Sequence, residues 1–311
     1  MLEGRVAIVT GGGRGIGRAH AGRLAAYGAR VIVNDAGSTP DGRATTEEPA
    51  EETVTAIRAA GGDAIAHRGD ISEMAVGQAL VDLAVQTWGR LDIVINNAGI
   101  GRPKMVFNLD EDEWDDVIRV HLKGTYAVSR AACRWWRAKA KEHGTSYGRL
   151  LNTTTGLLIQ SGAGQSNYVA AKGGVAAFTD AVATEMAPYG VTANAIMPSA
   201  MTRLAAVGWR IRRQQREELP FDATDPVHVA ELACYLASPA AGWISGQTFQ
   251  VRGAVIEHVG AWRIDRTYDG GERPFTAPQL ATELPRLFGA GAKRSDPPPK
   301  DWQATYRAKK K

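Results

Sequence analysis

The sequence predicts an α/β fold, a doubly wound, seven-stranded parallel sheet with helices on both faces. Three observations carry that expectation. Apolar, β-rich runs alternate with helical segments from the N-terminus to about Val251, the order that builds parallel sheets. Runs such as Val6-Ala7-Ile8-Val9 and Ile93-Val94-Ile95 have no polar alternate, as in strands covered on both faces. Several helical segments close on glycine, the residue that most easily takes the left-handed turn at a helix end.

The first strand, Arg5–Thr10, runs into the glycine-rich turn Thr10–Gly17, and a helix follows over Ile16–Tyr27 before Gly28. The second, Arg30–Asn34, ends on Asp35; a long polar loop, Ala36–Pro49, leads to a helix over Glu51–Ala60 that stops at Gly61-Gly62. The third, Ala64–His67, is followed by Asp70-Ile71 and a helix over Ser72–Trp88 before Gly89. The fourth, Leu91–Asn96, ends in Asn96-Asn97-Ala98-Gly99, and one long helix is expected over Glu113–Glu142. Arg149–Thr154 is the fifth strand, Asn167–Ala187 the next helix, Thr192–Met197 the sixth strand and Thr248–Val251 the seventh. Between the last two strands, Ala200–Pro220 carries Arg203, Arg210, Arg212, Arg213 and Arg216. Past Asp265 the chain turns polar and includes Pro297-Pro298-Pro299. The expected organisation is therefore one domain over 1–264 and an irregular C-terminal extension over 265–311.

At 311 residues, 44% of them apolar, the chain can bury a large core. Its net charge is +4, and three of the positives are the terminal Lys309–Lys311, so charge makes no case for nucleic acid. Cys133, Cys234 and the six histidines lack metal-ligand or redox spacing. No metal is expected, and a reduced, cytoplasmic setting fits. A strand begins too close to Met1 for a signal peptide, and no apolar run of about 18 residues offers a membrane span.

The chemistry lies in five features, four of them just after a strand, where ligands bind in doubly wound sheets, and one on a helix. Thr10-Gly11-Gly12-Gly13-Arg14-Gly15-Ile16-Gly17 is a turn in which glycines let a pyrophosphate approach the backbone. Asp35 follows at the end of the next strand, where a carboxylate accepts hydrogen bonds from ribose hydroxyls and repels a 2′-phosphate. NAD is therefore expected over NADP, although Arg14, Arg43 and Asn34 stand near enough to leave NADP a lesser alternative. Asp70 and Ile71 suit the adenine edge, and Asn97, Ala98 and Gly99 offer small residues beside the cofactor. Tyr168 and Lys172, at i and i+4 in Asn167-Tyr168-Val169-Ala170-Ala171-Lys172, share one helix face. There an ammonium favours an ionised phenol, which makes a proton-transfer group. A second such pair, Tyr306 and Lys310, sits in a polar tail without surrounding motifs and reads as coincidence.

In this order and spacing, the motifs resemble the short-chain dehydrogenase/reductase family over residues 1–260. The resemblance implies a Rossmann-type fold, adds Pro198 and Thr202 to the cofactor site, and implies a homodimer or homotetramer. It also implies that Tyr168 takes the hydroxyl proton while hydride passes to the nicotinamide, with Lys172 holding the nicotinamide ribose. Gly15-Ile16-Gly17-Arg18-Ala19-His20, Val33-Asn34-Asp35, Val120-His121-Leu122-Lys123-Gly124 and Gly164-Gln165-Ser166-Asn167-Tyr168 are similar to one branch of the family. That branch holds the 3-hydroxyacyl-CoA dehydrogenase part of peroxisomal multifunctional enzyme type 2 and actinobacterial steroid-catabolism dehydrogenases. Two positions depart from the wider family. Thr155 stands where a substrate-orienting Ser is usual and keeps its hydroxyl. His121 stands where an Asn is usual, as in that branch, and is read either as a proton relay or as a backbone hydrogen-bonding group. The implied substrate is a hydrophobic secondary alcohol or its ketone: a steroid, a terpenoid or a CoA thioester. The loop arginines could meet phosphate groups, and Leu157, Leu158, Ile159 and Trp209 an apolar body. A catalytically silent dinucleotide-binding sensor or scaffold is the alternative reading.

Overall fold

The computed structural model describes residues 1–202, 221–260, 267–269 and 276–288. Arg203, Trp209, Arg210, Arg212, Arg213, Arg216, the Pro297–Pro299 run and the Tyr306/Lys310 pair lie outside them. The chain divides into two units, Met1–Gly260 and Ala261–Lys311.

The first unit holds one sheet: β1 (Val6–Thr10), β2 (Arg30–Asp35), β3 (Ala64–Arg68), β4 (Ile93–Asn96), β5 (Gly148–Thr153), β6 (Val191–Ser199), β7 (Thr248–Arg252) and β8 (Val255–Val259). Their spatial order is β3-β2-β1-β4-β5-β6-β7-β8. The first seven strands are parallel. The winding reverses between β1 and β4, which opens a crevice at their carboxyl ends.

The expected doubly wound fold is present, with an eighth strand added. β8 pairs antiparallel with β7 after a turn at Gly253, whose φ is +55°. Val255-Ile256-Glu257-His258-Val259 carries no buried residue, so an edge hairpin lacks the continuous apolar run that marks the central strands.

Seven helices of this unit lie among the described residues: α1 (Gly15–Ala26), α2 (Pro49–Ala59), α3 (Met74–Trp88), α4 (Glu111–Ile118), α5 (Gly124–His143), α6 (Ser166–Met186) and α7 (Val227–Leu236). Side-chain alternation along the strands feeds two cores. Ala7 and Val9 pack with Leu24, Val54 and Leu236 of α1, α2 and α7. Val6 and Ile8 pack with Leu80, Trp136 and Met186 of α3, α5 and α6.

The helix expected over Glu113–Glu142 is present as continuous helical backbone from Glu111 to His143, with a π turn inside it. An Asp110–Glu113 capping box starts α4, a π turn spans Arg119–Lys123, and α5 runs on to a left-handed Gly144. Within the second unit, Ala277–Phe288 forms a helix, α8, so the extension is not irregular throughout. No helix among the described residues is long and apolar enough to cross a membrane.

Candidate active site

The glycine turn joins β1 to α1 at the reversal point. Gly11 has φ +59°, and a Cβ there would sit 2.7 Å from Ala98 Cα; a Cβ on Gly17 would drive into the Gly11 carbonyl. The turn is laced to the loop after β4. Thr10 Oγ1 accepts from the Asn97 and Ala98 amides at 3.0 and 3.2 Å, and Asn97 Nδ2 donates to the carbonyls of Thr10 and Gly11. Beneath it, Asn96 Nδ2 donates to Asn152 Oδ1 and Ser129 Oγ, while Asn152 Nδ2 donates to Thr179 Oγ1, each at 2.9 Å. This buried ladder ties β4 and β5 to α5 and α6, so Asn96 is a structural member of its motif.

An open cleft of about 1110 Å³ follows the crevice. Gly11, Arg14, Gly15, Ile16, Asp35, Asp70, Ile71, Asn97, Ala98, Gly99 and Thr202 line it. Of the expected cofactor residues, Gly17, Tyr168, Lys172 and Pro198 do not. The Asp35 carboxylate accepts from the Gly13 amide at 3.0 Å and the Gly37 amide at 2.9 Å, so it shapes its own turn and still faces the cleft. Arg14 Nη2 donates to Glu47 Oε2 at 2.6 Å, while Arg14 Nη1 is buried without a partner. Burial alone would raise the Asp70 carboxyl, yet hydrogen bonds from the Ser72 amide and the Arg119 guanidinium leave it below its ordinary value. Asn34 is spent on His67 and on the Gly69 carbonyl, and Arg43 pairs with Asp41 at 3.1 Å.

Sequence reasoning missed the loop between β2 and α2 as a wall of this cleft. Ser38, Thr39, Pro40 and Gly42 line it, and the Gly101 amide donates to the Pro40 carbonyl at 2.8 Å. Thr39-Pro40-Asp41-Gly42 was the available signal, because that string favours a tight turn; the Gly42 amide closes the turn onto the Thr39 carbonyl at 2.9 Å.

Tyr168 and Lys172 share the buried side of α6. Burial pushes the Tyr168 phenol up, and the Thr155 hydroxyl, just past β5, opposes that push. Lys172 is 3% exposed; burial lowers its pKa to about 7, and Nζ donates to the Thr153 carbonyl at 2.5 Å. The expected depression of Tyr168 by Lys172 is thus absent in the protein alone: desolvation drives each group toward its neutral form.

His121 sits inside the π turn. Its Nε2 lies 2.7 Å from the Ile100 carbonyl and 3.1 Å from the Ile100 amide, and its ring meets Tyr168 edge-on at 5.1 Å. Burial lowers its pKa to about 3, and Nδ1 has no partner. Asn167 is a second residue missed. Fully buried, its Nδ2 donates to the Arg102 and Glu113 carbonyls at 3.0 and 3.2 Å, and its Oδ1 accepts from the Tyr168 amide.

Together these residues form a phosphate-compatible cradle, a ribose acceptor and, on α6, a phenol one turn from a buried lysine. The Cβ-free turn, the free acceptor capacity of Asp35 and the unpartnered arm of Arg14 fit a dinucleotide.

The family model described as short chain dehydrogenase matches residues 5–215. Over 289 residues the chain is 40% identical to the hydroxyacyl-CoA dehydrogenase ChsB1 of Mycobacterium tuberculosis, covering 92% of this chain and 89% of that protein. It is 35% identical over 261 residues to peroxisomal multifunctional enzyme type 2 of Mus musculus, which takes in 84% of this chain and 32% of that longer protein. A crystal structure of a short chain dehydrogenase from Mycobacterium avium matches with a TM-score of 0.82 at 40% identity, covering 96% of this chain and 99% of that one.

Proposed function

The chain belongs to the short-chain dehydrogenase family, and we propose that it interconverts a hydrophobic secondary alcohol and its ketone with NAD. The observation that carries this reading is the placement of Tyr168 on α6 one helical turn from the buried Lys172, with Thr155 at the end of β5 opposing the effect of burial on the phenol. In the oxidative direction the Tyr168 phenolate takes the substrate hydroxyl proton, and Thr155 Oγ1 donates to the substrate oxygen. A bound oxidised nicotinamide supplies the hydride acceptor and a positive charge beside the phenol. Bringing a phenol from about 10 to about 7 takes roughly 4 kcal/mol of differential stabilisation. In the protein alone burial opposes this, so it falls to the positive charge of the bound cofactor to favour the phenolate of the Tyr168/Lys172 pair. His121 serves by holding the Ile100 backbone; an imidazole this hard to protonate makes a poor relay.

Gly11 and Gly15 would cradle the pyrophosphate, Gly17 letting α1 pack close behind them, with Asp35 holding the adenosine ribose and Asp70 and Ile71 the adenine. For the substrate, a hydroxyacyl-CoA thioester is favoured by the likeness to the Mycobacterium tuberculosis hydroxyacyl-CoA dehydrogenase. Exposed Val106, Phe107, Ile159 and Met201, on the segments after β4, β5 and β6, suit an apolar body at this edge.

The test is formation of NADH, followed by absorbance, against hydroxyacyl-CoAs, hydroxysteroids and cyclic terpene alcohols. Turnover with one class and NAD is expected. Tyr168→Phe should lower kcat about 100- to 10,000-fold. Hydride transfer that survives this substitution would sink the proposed chemistry.

A further inference from the structure

We propose that Glu47 is a specificity-determining residue that disarms Arg14 and so excludes a 2′-phosphate from the adenosine end of the cleft. This rests on the dinucleotide reading above and deepens it. Arg14 stands in the glycine turn and lines the same cleft as Asp35. A guanidinium grips a phosphate best through two parallel N–H bonds with its charge unopposed. The second condition fails here. Arg14 Nη2 donates to Glu47 Oε2 at 2.6 Å, so a carboxylate already opposes the guanidinium's charge and holds one edge of its fork, while the buried Nη1 has no partner. A neutral hydroxyl can still be met by the remaining N–H groups, whereas a 2′-phosphate would have to compete with Glu47 for the cation.

Glu47 does not reach Arg14 by chance of a free side chain. Its amide donates to Thr45 Oγ1 at 3.2 Å. Thr45 is pinned in turn, its amide and hydroxyl both donating to the Gly37 carbonyl at 3.0 and 2.7 Å, while Arg68 Nη2 donates to the Thr45 carbonyl at 2.6 Å. The end of the loop is therefore fixed two residues past Asp35 and again at Arg68, and the carboxylate is presented rather than left loose.

The surrounding charge points the same way. Asp35, Glu47, Glu48 and Glu51 share a small side pocket with Arg68, which itself pairs with Glu48 at 3.5 Å. A 2′-phosphate, carrying close to two negative charges, would enter a field already negative; a hydroxyl pays no such penalty. Asp35 and Glu47 thus act by different routes: one accepts from the ribose hydroxyls, the other neutralises the nearest cation.

The experiment is calorimetric titration of NADH and of NADPH into the full chain and into Glu47→Gln, Arg14→Ala and the double variant. Glu47→Gln should tighten NADPH about tenfold, the worth of one charge-assisted hydrogen bond, and adding Arg14→Ala should erase that gain. The proposal is overturned if Glu47→Gln binds NADPH no better than the parent chain does, or if the gain survives loss of Arg14. A parent chain that binds neither dinucleotide removes the premise itself, a failure visible before any variant is titrated.

Discussion

Thr155 is the residue on which the acid–base reading turns, because its hydroxyl counters the burial that pushes Tyr168 upward. Removing it should raise the Tyr168 pKa further. Oxidation needs the phenolate, whose share falls below that pKa, so the acidic limb of the rate profile should move to higher pH in Thr155→Ala. We expect kcat at neutral pH to drop about 100-fold, with Thr155→Ser restoring both rate and profile. A profile unmoved in the alanine variant would leave Thr155 a structural cap, the role its bond from the Leu157 amide at 3.3 Å also allows. Tyr168 and Lys172 were legible from their spacing on one helix face, and Thr155 through the family resemblance. The direction of their pKa shifts was not, because it depends on burial and on a lysine that turns to the Thr153 carbonyl.

Among the elements, the segment from α4 to α6 shows where sequence reading runs out. A π turn is a single wider turn inside an otherwise continuous helix, so the helix expected over Glu113–Glu142 gave no sign of it. What that turn achieves is visible only in three dimensions: His121 is swung onto Ile100, and Thr125 Oγ1 caps the His121 carbonyl at 2.7 Å. Asn167 was legible only as part of a motif string, because its two acceptors, Arg102 and Glu113, lie far away in sequence. Asn167→Ala would take a buried side-chain donor from both partly buried carbonyls and release the amide end of α6. We expect a loss of about 3 kcal/mol in denaturant unfolding and a fall in kcat larger than any rise in KM. Asn167→Asp, which keeps the acceptor and loses the donor, should not rescue stability.

For the whole molecule, buried histidines set the response to acid. His20 in α1 is 1% exposed and burial lowers its pKa to about 4, with His121 at about 3. Histidines of an unfolded chain charge near about 6.5. Between these values the unfolded state binds more protons, so stability rises with pH across the window and is lost as pH falls from 6.5 towards 4. The loss from His20 amounts to about 3 kcal/mol at most. A Tm series over that range should show the decline in the parent chain and a shallower one in His20→Leu; equal slopes would acquit His20. At this scale the winding of the sheet was legible from strand–helix alternation, while the walls of the cleft were not. Loop contacts such as Pro40 to Gly101 join segments that share no periodicity.

That contact has a kinetic consequence. The wall on the adenosine side is latched to the segment that goes on to meet the substrate side, where the Lys104 amide donates to the Gly164 carbonyl at 2.9 Å. Two ligands entering from opposite ends of the crevice therefore press on one continuous stretch of backbone. We expect a ligand at the adenosine end to steady the wall that a second ligand meets, and product-inhibition kinetics showing random order would contradict that coupling.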